Sequence, residues 1–568
     1  MAQLAQLPML RFIMFLIKQG KKLSLSGVVV LWLLLQILLW YILERHHQNS
    51  QNSHFNKNGS SDFLLSPSSV HRQQYRNASF TSNTHFSHQI KASRSKNNAP
   101  PNIHIVVSTD CTAYQHWQAI LLYYSARRVQ QPGSITRIAS GCTIQQQHVI
   151  QEEWARIDPT GQRFRVHFAP STALHGGNYK YSNKPGGILH WLQHHQDVEP
   201  LDDSTVVCLL DPDMILLKPI TTELPSSSNN QQWKVQPRNS NKSNGNQIEY
   251  INSTTGIAQF LRISALEQQQ QQHDTSGKTM PDYISTGNPA GQHFGVGGAW
   301  VQGMAANAKP AWKNFSKALV CGKGSPCTTT SRDEATHKYA VGPVYLATVA
   351  DWKQIATTWW DYVPKVHGQY PYLLAEMYSL TMAVANLRLS FHLFSNYMVT
   401  GSDVNSPTEA WSWVDDHIQQ LALQSTTSVS LAEQICTGAD ATTPPSWTQD
   451  PTMLALPSTI HYCQRYNLDI SSSSSISNHD GSEEKSTTFL FAKRKIPHDV
   501  FSCTEQQTSR QSVVPFNTSE LIVNASKQTT SWSVTDRRSL FALCHLGPIL
   551  NWARQVYYKE VCDVQDDV

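Results

Sequence analysis

The stretch that decides the fold is Val206-Val-Cys-Leu-Leu-Asp211-Pro-Asp213-Met-Ile-Leu-Leu, in which an apolar run ends abruptly in two carboxylates. A short apolar run without polar alternation predicts a central strand covered on both faces, as in parallel α/β sheets. Ligand sites of open α/β sheets lie just beyond the carboxyl ends of such strands, where Asp211 and Asp213 stand. Pro212 favours an extended chain between them, so both carboxylates could reach one divalent cation, with a solvated turn as the alternative.

A strand, a helix and a second strand precede this stretch. The pattern predicts a strand from Ile103 to Ser108, a helix from Tyr114 to Val129 and a strand from Ser134 to Ala139. This order predicts a right-handed parallel crossover, the opening of an α/β sheet. The polar residues Ser108-Thr109-Asp110 are then expected beside Asp211, with a plain helix cap as the alternative.

The composition bounds the class of protein. With 568 residues, 40% of them hydrophobic, and 16 Trp, the chain can bury one large core or two moderate ones. The formal net charge of +4 indicates no particular partner. The sequence has no zinc-finger spacing, no basic stripe and no aromatic ribonucleoprotein signature, so nucleic-acid binding is not expected.

The N-terminus predicts membrane attachment. Residues 23–43 are almost wholly apolar and match the ~20 residues that a helix needs to cross a bilayer. Basic residues precede this span, so the positive-inside rule places residues 1–22 in the cytosol and the rest of the chain in the lumen. A cleaved signal peptide is the alternative, but the apolar run is longer than an h-region and no small-residue cleavage site follows it. We therefore expect a single transmembrane signal anchor.

Sequons and cysteines point independently to the secretory pathway. All ten cysteines follow the span and none forms a Cys-x-x-Cys pair, which favours disulfides over zinc. Cys321 and Cys327 are close enough in the chain to close a small loop. Seven Asn-x-Ser/Thr sequons also follow the span, at Asn58, Asn77, Asn241, Asn252, Asn314, Asn517 and Asn524.

Composition shifts predict the domain limits. Residues 44–101 are polar and poor in aliphatic residues, which indicates a disordered lumenal stalk. Residues 102–568 are expected to form one domain with polar insertions near 226–285 and 468–487. Inside the first insertion, a short helix is predicted from Thr255 to Leu266. Near the C-terminus an amphipathic segment is expected to be broken or kinked at Gly547-Pro548.

Four further features are candidates for the site. Lys184, at the start of a short amphipathic helix, could neutralise a diphosphate, with a solvated lysine as the alternative. Glu376 is the single charge on an otherwise apolar helix and is either functional or part of a buried ion pair. His461 ends a predicted strand. The segment Lys493-Arg-Lys495 either closes over a diphosphate or is a solvated basic face.

Several blocks of sequence resemble a known family. In order and spacing they are similar to the plant and algal peptidyl glycosyltransferases that include hydroxyproline O-arabinosyltransferases and peptidyl serine α-galactosyltransferases. The resemblance implies a Golgi type II membrane protein with a GT-A-like α/β fold, which has a mixed, mainly parallel central sheet, behind its transmembrane helix. It also implies the Asp-x-Asp motif of enzymes that use nucleotide sugars. The blocks are Ser108-Thr-Asp-Cys111, Trp117-Gln118, Gln131-Pro-Gly-Ser-Ile-Thr-Arg137, Asn183-Lys-Pro185, His190-Trp-Leu192 and Leu210-Asp-Pro-Asp-Met-Ile215.

The same resemblance implies the roles of the site residues. Mn2+, or another divalent cation, would be held by Asp211, Asp213 and His461. Glu376 and Asp213 would act in catalysis. The residues that would bind the UDP-sugar donor are Ser108, Thr109, Asp110, Lys184 and Asp211.

The implied reaction is the retaining transfer of a sugar from a UDP-sugar to a hydroxyl of a peptide or glycoprotein. Front-face attack is favoured, with Glu376 as a covalent nucleophile in the alternative mechanism. Segments such as Val341-Gly-Pro-Val-Tyr345 look more like hydroxyproline O-arabinosyltransferases. Asp211-Pro-Asp-Met-Ile looks more like peptidyl serine α-galactosyltransferases, which are the alternative. A non-catalytic Golgi lectin or scaffold is the alternative from another class.

Overall fold

The computed structural model describes residues 100–173, 175, 179–195, 200–224, 248–251, 258–261, 281–302, 312–404, 408–424, 429–436, 457–471, 486–503, 517–527 and 532–563. The predicted cytosolic tail, transmembrane segment and stalk lie outside these residues, apart from the last two stalk positions. Most of the two predicted insertions lies outside them as well. Among the helices of the described part, none combines the length and the apolar content that crossing a bilayer requires.

The described part contains strands and helices in alternation over its first half. The strands are β1 (Ile103–Asp110), β2 (Ser134–Ser140), β3 (Phe164–Ala169), β4 (Val206–Leu210), β5 (Met214–Leu216), β6 (Ile248–Ile251), β7 (Ala258–Leu261), β8 (Ala290–His293), β9 (Val341–Thr348), β10 (His392–Phe394), β11 (Met398–Val399), β12 (Thr459–His461), β13 (Tyr466–Ser471) and β14 (Ser486–Phe491). The helices are α1 (Ala113–Arg128), α2 (Ile144–Ile157), α3 (Asn183–His194), α4 (Lys317–Cys321), α5 (Pro326–Thr329), α6 (Arg332–Lys338), α7 (Val349–Gln369), α8 (Ala375–Leu387), α9 (Trp411–Gln424), α10 (Leu431–Cys436), α11 (Thr518–Lys527) and α12 (Val534–Tyr557), which a π-helical turn continues to Cys562.

The central sheet has the strand order β10-β8-β9-β4-β1-β2-β3. Four of its six pairings are parallel, and β9 runs antiparallel to both β4 and β8. The prediction of an α/β fold with a mixed, mainly parallel sheet is therefore confirmed. Because β1 pairs with β2 on one side and β4 on the other, the strand order reverses there, and ligands of such sheets bind beyond the strand ends at this reversal.

The strands at this reversal form as their sequences predict. The predicted strand from Ile103 is observed and runs on to Asp110, and the predicted helix follows it as α1. Residues of β1 that alternate along the strand pack on opposite faces. Ile105 and Val107 join a core with α1, α2 and α12, whereas Val106 joins a core with α3, α7 and α8. The sheet is thus covered on both faces.

A three-stranded sheet, β11-β12-β5, packs beside the central one. Strand β5 begins only four residues after β4 ends and pairs antiparallel with β12. This small sheet matters because it connects the middle of the chain with a strand near residue 460.

One local prediction was wrong, and of two outcomes predicted at another place one is excluded. The short helix predicted from Thr255 to Leu266 is not observed at Ala258–Leu261, which pairs as β7 with β6. A short apolar run does not by itself distinguish helix from strand, and here a pairing partner decides. Of the break or kink predicted at Gly547-Pro548, the break is absent, since α12 runs through both residues. Leu546 and Ile549, on either side of this dipeptide, are fully buried, so tertiary packing overrides the missing backbone hydrogen bond.

The disulfides fit the cysteine prediction. They include Cys321–Cys327, which closes the expected small loop. Two others attach the C-terminal helix and the turn that follows it to the rest of the domain, and a fourth joins the ends of β1 and β2. These three are Cys436–Cys544, Cys503–Cys562 and Cys111–Cys142.

Candidate active site

Strand pairing brings His461 to the two aspartates. Asp211 follows β4 and Asp213 precedes β5, so both lie beyond the carboxyl end of a central strand. In the β5–β12 pair, His461 is opposite Met214. The backbone N–H of Tyr462 donates to the Asp213 carbonyl at 3.0 Å, which fixes the register on the other side of the histidine. Residues 248 positions apart in the chain therefore become neighbours.

The three side chains are spaced as ligands of one ion would be. His461 Nε2 lies 3.1 Å from Asp213 Oδ1 and 3.8 Å from Asp211 Oδ2. One ligand atom from each residue can be chosen so that all three lie within 4.8 Å of one another, and in the described part this is the one such group of three or more His, Cys, Asp or Glu side chains. Ligand atoms at about 2.0–2.2 Å from a common divalent ion are separated by comparable distances. Their role as metal ligands stays a prediction.

Two positive groups balance Asp213. Lys493 Nζ lies 2.5 Å from Asp213 Oδ2, and the His461 imidazole faces the other oxygen. Burial opposes ionisation of Asp213, but His461 and Lys493 outweigh it and hold the pKa of this carboxyl well below its usual range. Burial also opposes charge on His461, yet Asp213 raises the pKa of the imidazole well above its usual value. Two carboxylates and an imidazole fit a divalent ion, which would replace the imidazolium proton.

Lys184 joins Asp211 to Glu376. Its Nζ lies 2.7 Å from Asp211 Oδ1 and 3.2 Å from Glu376 Oε1, and only 14% of its side chain is exposed. A solvated lysine is therefore excluded. Burial lowers the pKa of Lys184, but the two carboxylates more than compensate and raise it well above its usual value. The helix that carries Lys184 packs closely on the central sheet. A Cβ at Gly187 of this helix would lie only 2.9 Å from Ile138 Cγ2 of β2.

Glu376 lies in the first turn of α8 and is buried. Burial raises the pKa of its carboxyl, an effect that Lys184 opposes. Its backbone is held on both sides, since its N–H donates to Tyr179 Oη at 3.1 Å and its carbonyl accepts from Trp359 Nε1 at 2.9 Å. The predicted alternative of a buried ion pair is thus observed. It leaves a functional role open, because the same ammonium also contacts Asp211.

Successive side chains at the end of β1 point to opposite faces of the sheet. Val107 pairs with Leu210, so the register places Ser108 beside Asp211 as predicted. Thr109 alternates to the opposite face, where its hydroxyl accepts from Arg137 Nε at 2.9 Å. Of the predicted donor-binding residues, Thr109 is therefore the one whose side chain is turned away.

Asp110 takes part in the turn that precedes α1. Its Oδ1 accepts from the backbone N–H of Thr112 at 2.9 Å. The N-cap of α1 is Thr112, whose side chain accepts from Gln115 N at 3.4 Å. The alternative interpretation of this segment, a helix cap by Thr109 or Asp110, is therefore not observed.

Lys493 is the site residue that the sequence left undecided. In the sequence the basic segment fits a cover for a diphosphate and a solvated face equally well, and nothing local distinguishes Lys493 from its neighbours. The deciding feature is the hairpin of β13 and β14, in which Tyr466 pairs with Phe491. Because Tyr466 follows His461 closely and Phe491 precedes Lys493, the hairpin returns the chain to the histidine. Recognition of that hairpin in the sequence would have placed Lys493 here.

Curated relatives match a part of the chain. No protein-family model matches it. A peptidyl serine alpha-galactosyltransferase of Arabidopsis thaliana is 39% identical over 124 residues, which are 21% of this chain and 14% of that protein. Over this part the chain resembles that family. A peptidyl serine alpha-galactosyltransferase of Chlamydomonas reinhardtii is 28% identical over 121 residues, 21% of this chain and 15% of that protein. The resemblance inferred from the sequence blocks is thus confirmed, over about a seventh of each relative's length.

Solved structures with some similarity are also glycosyltransferases by name. The WbbM bifunctional glycosyltransferase covers 65% of this chain and 47% of its own, with a TM-score of 0.28 and 10% identity. The galactosyltransferase LgtC covers 64% of this chain and 87% of its own, with a TM-score of 0.24 and 10% identity. Mouse xyloside xylosyltransferase 1 covers 64% of this chain and 98% of its own, with a TM-score of 0.25 and 9% identity. Fold similarity at these TM-scores is weak, and the fold assignment rests on the sheet topology described above.

Proposed function

We propose that this chain is a divalent-metal-dependent glycosyltransferase that moves a sugar from a UDP-sugar to a hydroxyl of a peptide. The observation that carries the proposal is the convergence of Asp211, Asp213 and His461 beyond β4, at the reversal of strand order. Ligand sites occur at this place in α/β sheets, and the donor set suits a divalent ion that binds phosphate oxygens. A GT-A-like fold is part of the same proposal.

The residues of the site would divide the work of binding the donor. Asp211, Asp213 and His461 would hold the divalent ion, which as a Lewis acid stabilises negative charge on the leaving diphosphate. Lys184 and Lys493 contact these carboxylates in the protein alone. Their ammonium groups would turn to the diphosphate oxygens when the donor binds, since charge-assisted hydrogen bonds to phosphate are strong.

Glu376 would act next to the sugar. Its carboxylate shares the Lys184 ammonium with Asp211, which puts it at the boundary between the diphosphate and the sugar. In front-face attack it would stabilise positive charge at the anomeric carbon, while the leaving phosphate oxygen takes the proton of the acceptor hydroxyl. As a covalent nucleophile it would instead form a glycosyl intermediate, and both routes retain the anomeric configuration.

The named relatives guide the choice of sugar and acceptor. Both are peptidyl serine galactosyltransferases, which supports α-galactosyl transfer to serine as the first pair to test. Arabinosyl transfer to hydroxyproline is the second candidate, because the segment around Tyr345 and the segment around Glu376 resemble those enzymes. The two candidates share the metal site and differ in the groups that contact sugar and peptide.

We place the enzyme in the Golgi membrane, with its catalytic domain in the lumen. The apolar span at residues 23–43 with basic residues before it, the seven sequons after it and the disulfides all support this location. The orientation can be checked with an epitope tag fused after residue 568. Antibody binding to the tag is compared between cells with intact and cells with permeabilised Golgi membranes.

The direct test is a transfer assay with the purified protein. It is incubated with Mn2+, UDP-galactose or UDP-arabinose, and serine-rich or hydroxyproline-rich peptides, and the peptides are analysed by mass spectrometry. We expect one donor and one peptide class to give a mass increase of one sugar, and Asp213→Ala to abolish it. Asp333→Ala, at a side chain that is 82% exposed, is the matched control and should retain transfer. Full activity of Asp213→Ala would reject the metal assignment.

A non-catalytic lectin or scaffold remains the candidate from another class. The ion pairs that Lys184 makes with Asp211 and Glu376 favour the enzyme, because binding a neutral glycan needs no such charges. Glycan-array binding by the protein, without transfer in any donor and peptide combination, would favour the lectin instead.

A further inference from the structure

Strand β9 is irregular where it passes the candidate site. Tyr345 pairs with Gly291 of β8, whereas the next residue of β8 pairs with Gly342. Pro343 and Val344 are thus left without partners on β8 and form a bulge. Val344 has a φ of 74°, a left-handed conformation that β-branched residues rarely adopt. Bulges re-aim side chains next to active sites, and strained backbone persists only where its surroundings hold it in place.

The bulge is followed at once by Tyr345, which faces the layer that holds Lys184 and Glu376. On the β4 side Tyr345 pairs with Leu209, two residues before Asp211. Because side chains alternate along a strand, Leu209, Asp211 and the paired tyrosine project from the same face. Tyr345 is 0% exposed, and Lys184, Glu376 and Asp211 all act electrostatically on its phenol. Its phenol therefore lies on the same side of the sheet as these charged groups.

The Tyr345 hydroxyl has no hydrogen-bond partner in the described part of the chain. Buried polar groups are nearly always hydrogen-bonded, and leaving a buried hydroxyl unpaired destabilises a protein. Lys184 is already shared between Asp211 and Glu376. A buried hydroxyl that is left unpaired on the face of these charged groups can still donate to or accept from a ligand.

We propose that Tyr345 Oη belongs to the subsite for the donor's sugar, and hydrogen-bonds a sugar hydroxyl of the nucleotide sugar bound at Asp211. The inference rests on the proposed function and adds a specificity-determining residue to it. The phenol suits the sugar better than the diphosphate, because it is a neutral donor and acceptor like the hydroxyl it meets. The phosphates have charged partners in Lys184 and Lys493. Glu376 shares the face on which Tyr345 lies, so the sugar would sit between them.

Binding measurements with Tyr345→Phe test this subsite without relying on turnover. Isothermal titration calorimetry with Mn2+ compares UDP, which lacks the sugar, with UDP-galactose and UDP-arabinose. Phenylalanine keeps the ring and removes only the hydroxyl, so the affinity for UDP should stay as in the wild type. The affinity for the UDP-sugar that the wild type binds should fall about tenfold, as expected for one lost hydrogen bond.

The possible outcomes distinguish failure of the sugar subsite from failure of the proposed function. Equal losses for UDP and the UDP-sugar, or no loss for either, would overturn the sugar subsite and leave the proposed function standing. A wild type that binds neither UDP-sugar with Mn2+ would overturn the proposed donor together with the subsite.

A second measurement needs no ligand. If the hydroxyl is unpaired in the protein alone, Tyr345→Phe should have a Tm equal to or above that of the wild type. The matched control is Tyr557→Phe, since the buried Tyr557 hydroxyl donates to Glu153 Oε1 at 2.6 Å and its removal should lower the Tm. A clear drop in Tm for Tyr345→Phe would mean that the hydroxyl has a structural partner, which would overturn the inference.

Discussion

His461 Nε2 and Asp213 Oδ1 lie 3.1 Å apart because β12 runs antiparallel to β5. The contact joins an imidazolium to a carboxylate in the protein alone, and the same two atoms face the position proposed for the divalent ion. A proton and a cation therefore compete for one histidine nitrogen.

Replacing His461 should strongly lower the affinity for Mn2+ while the protein stays folded. In His461→Gln the amide can still hydrogen-bond Asp213, whereas the nitrogen ligand is lost. Since loss of an outer partner alone typically costs about 10–100-fold in metal affinity, we expect at least about 100-fold weaker Mn2+ binding. Electron paramagnetic resonance of free Mn2+ measures this, with circular dichroism as the check on folding. Unchanged Mn2+ affinity would remove His461 from the ligand set.

Removing the Lys493 ammonium should affect the nucleotide. Lys493→Met takes away one positive charge beside Asp213, so UDP should bind more weakly in the presence of Mn2+, by about tenfold if one charge-assisted hydrogen bond is lost. The matched control is Lys495→Met, at an exposed position two residues further along the same segment. Titration calorimetry compares the two. Equal effects of both substitutions would indicate a general charge effect and no direct contact by Lys493.

Replacing Lys184 should lower the free energy of unfolding. Lys184→Met leaves the partly buried Asp211 carboxylate and the buried Glu376 carboxylate without their shared cation, and breaking a buried pair typically destabilises by about 3–5 kcal/mol. Denaturant unfolding of the metal-free protein measures the change. Adding Glu376→Gln to Lys184→Met should recover part of the loss, because it removes one of the two stranded charges. Lys180→Met, at an exposed lysine nearby, is the control.

Acid should destabilise the domain through buried histidines. Burial lowers the pKa of His104 to about 3 and the pKa values of His293 and His545 to about 4. These values lie below about 6.5, where histidine titrates in an unfolded chain. As the pH falls below about 6.5 the unfolded chain binds protons first, so stability is complete above this pH and declines toward about pH 4. Each histidine contributes at most about 1.4 kcal/mol per pH unit to the decline.

Denaturant unfolding at several pH values between neutral and about pH 5 tests this sign. We expect a lower unfolding free energy on the acid side, and a shallower decline in His545→Gln, which removes one buried imidazole. The matched control is His148→Gln, in which an exposed histidine is replaced. Stability that rises toward acid pH would contradict the prediction.

Local pattern was sufficient for much of the fold. The apolar run Val206–Leu210 and the crossover from β1 through α1 to β2 could be predicted because each depends on residues close in the chain. The two aspartates followed, since they end such a run. His461 entered through the order of blocks that resemble the plant and algal enzymes, because an isolated histidine carries no signal of its own.

The sequence did not predict which side chains far apart in the chain contact each other. The contacts of Lys184 with Glu376 and of Lys493 with Asp213 join residues far apart in the chain, and hydrophobic periodicity carries no information about such partners. The β6–β7 hairpin was missed for a different reason, because a short apolar run does not distinguish a helix from a strand. The bulge before Tyr345 could not be predicted either, because a positive φ at Val344 contradicts local preference and is imposed by the neighbouring strands.

The Cys503–Cys562 disulfide ties the segment that carries Lys493 to the turn after α12. Production in the reducing cytoplasm of a bacterium would leave this bond unmade, and the segment would lose its covalent anchor to the end of the chain. Protein from such a host can be soluble, with its central sheet folded, and still bind nucleotides weakly. An oxidising host or a secreted form is therefore the right source for every assay above.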